Sequence, residues 1–208
     1  MKATKTLKIG VIFSLLFFLS QNLLAKGFIL NSDGLIDPRA SEKINQIGSE
    51  VKTKLNINIY VYAKRSLDLA EDMDRKLKFD YIKNYEKKLL PQLKKPYVLL
   101  TMSVEDMYVN LIYSDKLNKH LDKDDILDGY VVPLLASKDK NTLYAKVSAS
   151  MLNGYAAIAD TIAEKENLKL ETSIGNQGKV SSTIWRVLMY FLIITGLLAY
   201  TYAVLKKK

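Results

Sequence analysis

Residues 56–64 read NINIYVYAK, with Ile57, Ile59, Val61 and Ala63 alternating against Asn58, Tyr60 and Tyr62. So strict a period of two commits the segment to a strand with one buried face, the other being tyrosine-covered. Both flanks have helical periodicity instead. Upstream, Ala40, Ile44, Ile47, Val51 and Leu55 recur at steps of three or four behind Asp37, a cap, and Pro38, a first-turn proline. Downstream, Met73, Leu77, Tyr81, Tyr85 and Leu89 step by four, which predicts a second helix from Asp68 to Leu90, capped by Asp68 and ended by Pro91 and Pro96.

The stretch YVLLTMSVEDMYVNLIY then offers two apolar runs, Tyr97 to Met102 and Met107 to Tyr113, parted by residues 103–106, which predicts a hairpin. A short helical segment from Asp122 to Leu135, containing Pro133, precedes a longer helix with Leu143, Val147, Met151, Tyr155, Ile158 and Ile162 on one stripe. A short edge strand is expected near Phe28 to Leu30. This order implies an α/β fold, a three-layer α/β/α sandwich around a small mixed sheet. The right-handed crossover rule makes strands 57–63 and 97–102 parallel, with 107–113 running back beside the second.

The two ends of the chain read as targeting. Lys2, Lys5 and Lys8 precede the apolar run Ile9 to Leu19 and a small residue at Ala25, the pattern of a signal peptide over residues 1–25. Val187 to Leu205 carries no charge and is closed by Lys206, Lys207 and Lys208. At ~1.5 Å per residue that run covers about 28 Å, close to the thickness of the hydrocarbon core. The expected organisation is an exported domain over 26–171, a polar tether over 172–183, a transmembrane helix over 184–205 and a cytoplasmic basic tail over 206–208. With lysines marking the inner side, the protein is placed as a single-pass protein of a bacterial inner membrane, its N-terminal domain in the periplasm.

Charge supports the same division. The formal net charge is +9 and the pI is near 9.4, values that ordinarily raise nucleic acid as a partner. Lys2, Lys5, Lys8, Arg186 and the three terminal lysines lie outside residues 26–183, and every acid lies inside; removing those seven leaves 24 basic against 22 acidic residues. The basicity therefore reports targeting, and no nucleic-acid partner is expected. The absence of cysteine excludes thiolate metal sites and a cysteine nucleophile, and the single histidine, His120, excludes two-histidine zinc motifs.

With SDGLID before the first helix, NINIYVY as the strand and YVLLTMSVEDMYVNLIY as the central hairpin, residues 28–165 resemble the TPM domain family of thylakoid acid-phosphatase-like proteins, photosystem repair factors and bacterial envelope proteins. Family members commonly pair an export signal with a C-terminal span. This chain has LLPQLKKP and YSDKLNKHL where the family has a tryptophan-glycine segment and a glycine-rich turn. Together, the anchor and the glycine-poor domain imply a membrane-anchored, periplasm-facing domain that binds, assembles or maintains a membrane protein complex, so the expected partners are the membrane and a membrane or envelope protein. The rival reading is a metal-dependent phosphomonoesterase, against which stands the want of a nucleophile with a paired base.

Topology nominates the site. Strands ending at Ala63 and Met102 bring their carboxyl ends to one rim, where ligands of open α/β sheets bind. Asp33, Asp37, Asp68, Glu105 and Asp106 are expected there, hard oxygen ligands suited to Ca²⁺ or Mg²⁺. Each also has a local role to play as helix cap or turn residue. The denser acidic stretch, HLDKDDILDG at 120–129, fails as a calcium loop started at Asp122, since Ile126, Leu127 and Pro133 occupy positions 5, 6 and 12. It reads as a helix start with Asp122 as cap, on the opposite rim. Tyr60, Tyr62, Tyr81, Tyr85, Tyr108 and Tyr113 supply aromatic faces for packing or for a protein partner.

Overall fold

A computed structural model describes residues 27–70, 72–175, 189–198 and 206. A four-stranded sheet runs in the order β1 (Ile29–Asn31), β2 (Asn58–Lys64), β3 (Tyr97–Ser103) and β4 (Tyr108–Tyr113). The first three strands are parallel, and β4 returns antiparallel to β3, Val98 opposite Tyr113 and Ser103 opposite Tyr108. The chain is thus a mixed α/β domain, with the strand directions that the crossover rule predicts.

Helices α1 (Pro38–Leu55) and α5 (Leu143–Lys165) cover one face of the sheet. Ala40, Ile44, Ile47 and Val51 of α1 and Val147, Met151, Tyr155, Ile158 and Ile162 of α5 pack on Ile59, Val61, Ala63, Val98, Leu100 and Met102 in one core. That core holds most of the buried apolar surface and therefore most of the hydrophobic stabilisation. The opposite face, where Tyr97 and Leu99 meet Tyr60, Tyr62 and Ile112, forms a smaller cluster beside α2 (Arg75–Leu89). Between β4 and α5 the chain forms α3 (Lys123–Ile126), a π-helical run at Leu127–Val131 and α4 (Val132–Leu135).

The second helix departs from its sequence expectation. It starts at Arg75 with Asp74 as its cap, accepting from the amides of Lys76 and Leu77. Asp68 lies upstream in a loop with φ +56° and does not cap. Of the expected stripe, Leu77 is 60% and Tyr81 48% exposed, Tyr85 and Leu89 are half-buried against the sheet, and the fully buried residues are instead Ile82 and Glu86. Polar groups on β3 and β4 claim the Glu86 carboxylate, and those hydrogen bonds fix the rotation of the helix against its apolar periodicity.

The expected signal peptide at 1–25 lies outside the described residues, as does most of the span expected at 184–205. Residues 189–198 are helical with exposed side chains, and among the described residues no helix is long and apolar enough to cross a membrane. The stretch expected as tether begins against the domain: Thr172 donates from its amide and its hydroxyl to Glu50, and Ser173 donates to Asp160.

Candidate functional site

The carboxyl ends of β1, β2 and β3 form a rim closed by the β3–β4 turn and by the loop that carries β2 into α2. Asp106 stands at its centre. Its Oδ2 accepts from the Leu67 amide at 2.9 Å and from the Ser103 hydroxyl, so one carboxylate ties the turn to the loop. Glu105 adds a backbone tie, its amide donating to the Arg65 carbonyl at 2.9 Å. These contacts hold open a cleft of about 510 Å³ between the loop, the first turns of α2 and the turn. Its lining is apolar at Leu69, Met73, Phe79 and Met107 and charged at Arg75, Lys78, Glu105 and Asp106.

Met107, in the left-handed region at φ +49°, projects from the turn and is 94% exposed. A methionine so placed is a soft, adaptable contact rather than a core residue. Phe79 meets Tyr108 edge to face at 6.2 Å between centroids, and the Arg75 guanidinium lies 5.6 Å from the centre of the Phe79 ring. The wall of the cleft is thus aromatic and cationic on the α2 side and acidic on the turn side.

Asp33 and Asp37 belong to separate hydrogen-bond sets, and Asp68 to neither. Asp33, at φ +45°, accepts from the Asn31 side-chain amide at 2.9 Å and from the Arg65 amide at 3.1 Å, and these two hydrogen bonds hold its carboxyl below the usual carboxylate range. Asp37 caps α1, accepting from the Ala40 amide at 2.9 Å, and takes the Ser148 hydroxyl at 2.5 Å, which with that cap bond lowers its pKa. The Asp68 amide donates to Ser66 Oγ at 3.0 Å, and its side chain is exposed. The rim therefore gathers these acids in one region without making them one ligand set: among the described residues no three histidine or acidic side chains form a group able to hold a metal ion.

The aspartates of 120–129 are a helix start. Asp122 caps α3, accepting from the amides of Asp124 at 2.9 Å and Asp125 at 3.2 Å. They stand at the other end of the molecule from the cleft, since neighbouring His120 meets Glu166, just past the C-terminus of α5, at 2.9 Å, whereas Ser148 near the start of α5 meets Asp37.

The sequence reading missed Glu86. It is 5% exposed, between α2 and the sheet, and accepts from Thr101 Oγ1 at 2.6 Å, from the Asn110 side-chain amide at 3.0 and 2.8 Å and from the Tyr108 hydroxyl at 3.2 Å. Burial first, and then the Glu86 charge, push the Tyr108 hydroxyl well above its usual pKa, so it stays a donor. Beside this network Tyr62 and Tyr85 share a short hydroxyl contact, and burial together with that contact likewise raises Tyr62. The signal lay in the sequence as polar residues, Thr101 and Asn110, at register partners of two apolar strands.

The sequence matches no protein-family model and no curated protein. The fold has solved counterparts. The N-terminal domain of a protein from P. gingivalis, solved by NMR, aligns with a TM-score of 0.51 at 13% identity, over 69% of this chain and 87% of that one. The NMR structure of the BA42 protein from the psychrophilic bacterium Bizionia argentinensis aligns with a TM-score of 0.42 at 15% identity, over 67% of this chain and 94% of that one. At such identities the first likeness establishes a shared α/β fold and nothing of activity.

Proposed function

We propose that this chain is a diverged TPM-like α/β/α domain, held at the outer face of a bacterial inner membrane by residues 184–205, that binds a membrane or envelope protein during assembly or maintenance of a complex. The observation that carries the reading is the cleft beside Asp106. Its apolar floor, exposed Met107 and paired cationic and acidic walls suit a protein segment with an apolar side chain flanked by charge. Of the rim acids, Asp33, Asp37 and Asp106 are committed as acceptors to backbone amides and hydroxyls, which leaves them poor candidates for proton transfer.

Photocrosslinking in the intact envelope tests it. A photoreactive residue in place of Met107 is expected to give one discrete adduct, lost on Arg75→Glu. A diffuse ladder or no adduct, together with turnover of a phosphomonoester that vanishes in Asp106→Asn, would overturn binding in favour of the phosphatase reading.

A further inference from the structure

The rim opposite the cleft has a different character. There the amino ends of β2 and β3 meet the end of β4, with Asn58 opposite Tyr97 and Val98 opposite Tyr113. Lys94 and Lys95 are exposed in the loop entering β3, and the Lys94 carbonyl accepts from the Asn58 side chain at 2.9 Å, which fixes that loop beside the start of β2. Lys88, in the last turn of α2, and Lys116 and Lys119, just after β4, are exposed on the same rim.

The chain leaves the domain along this rim. The amides of Glu171 and Thr172 both donate at 2.8 Å to Glu50 near the end of α1, and Lys54 bridges Glu50 and Glu171 at 2.7 and 3.3 Å. Lys54 offsets one of those two charges, Asp122 caps its own helix, and Asp115 stands beside Lys116. The eight residues from 176 to 183 reach at most about 30 Å when fully extended. A lysine-rich edge on the rim where Glu171 and Thr172 are held, shortly before the apolar run expected to anchor the chain, is complementary to one surface above all, that of an anionic bilayer.

We propose that the rim bearing Lys88, Lys94 and Lys95 docks on anionic phospholipid headgroups, which turns the cleft at the far rim away from the membrane. The inference rests on the anchored reading given above. Its partner is the lipid surface itself.

The test uses the full chain in nanodiscs of phosphatidylcholine alone and of phosphatidylcholine with phosphatidylglycerol, with lysine acetylation rates read by mass spectrometry. Lys94 and Lys95 are expected to react about fivefold more slowly in the anionic discs at low salt, with the difference lost in high salt. Lys138 and Lys140, beside the start of α5, are expected to react equally in both. The double variant Lys94→Glu with Lys95→Glu, its thermal midpoint unchanged, is expected to abolish the slowing at Lys88. A chain that does not enter nanodiscs would overturn the anchored reading and this inference with it. Incorporation with equal rates at Lys94 and Lys95 in both lipids would overturn the docking alone.

Discussion

The Tyr155 hydroxyl on α5 donates to the carbonyl of Ile59 on β2 at 3.0 Å, although both residues are fully buried. To reach it, the phenol passes Gly48 of α1, where an added Cβ would overlap both the Tyr155 hydroxyl and the Phe28 ring. A helix–helix–sheet junction thus depends on one hydroxyl and on the missing side chain of one glycine. Tyr155→Phe is expected to lower stability by about 1–3 kcal/mol, because a buried carbonyl loses its donor. Gly48→Ala is expected to cost about 1–3 kcal/mol through overpacking. Denaturant midpoints measure both, and their double variant should fall short of additivity.

Glu86 offers a second test. Truncating it to alanine leaves Thr101, Asn110 and Tyr108 with unpaired groups under α2, and a loss of roughly 2–4 kcal/mol is expected. Glu86→Gln keeps the shape and should cost less. If both variants unfold at the wild-type midpoint, the carboxylate network contributes nothing.

Asp106 predicts a local effect. Asp106→Ala removes the acceptor for the Leu67 amide and the Ser103 hydroxyl, so hydrogen exchange over residues 66–74 is expected to accelerate by about tenfold, as loss of one charge-assisted bond implies. Exchange in α5 should not change.

Acid acts at the exit of the chain. Burial of Glu50 disfavours its charge, but Lys54, Thr172 and the amides of Glu171 and Thr172 outweigh this and hold its pKa down to about 2, from an ordinary 4.5. A depressed carboxyl contributes stability above its unfolded value and loses it as pH falls through its folded value. The Glu171 and Thr172 amides should therefore keep their protection at neutral pH and lose it between about pH 4.5 and 2, a change that Glu50→Gln would flatten.

The elements legible in the sequence were those whose signals are local. Pro38 and Asp37 mark the start of α1, alternation marks β2, and the stripe from Val147 to Ile162 is buried throughout. Leu143, at the head of that stripe, is 58% exposed because it precedes the first turn that touches the sheet. The second helix departs from its periodicity at its start and at Leu77 and Tyr81, for a tertiary reason. Nothing within residues 68–90 reveals that Thr101 and Asn110 will require a carboxylate, so the stripe of Leu77 and Tyr81 competed against a network assembled from three segments, and lost. For the site, parallel strands and the hairpin placed Glu105 and Asp106 at the correct rim, but spacing alone could not tell that Asp106 would be taken by the Leu67 amide and the Ser103 hydroxyl.

The placement of α2 has a consequence for how the protein can change. Because Ile82 and Glu86 are its only buried residues, the helix is keyed to the sheet by hydrogen bonds more than by volume. A slip of one turn would set Ile82 or Leu90 over Thr101 and Asn110 and strand their polar groups. Outward-facing Leu77 and Tyr81 answer to no such lock. Drift can rewrite the outer face of α2 while its position stays fixed, so that new recognition surfaces arise there without disturbing the core on the other side of the sheet.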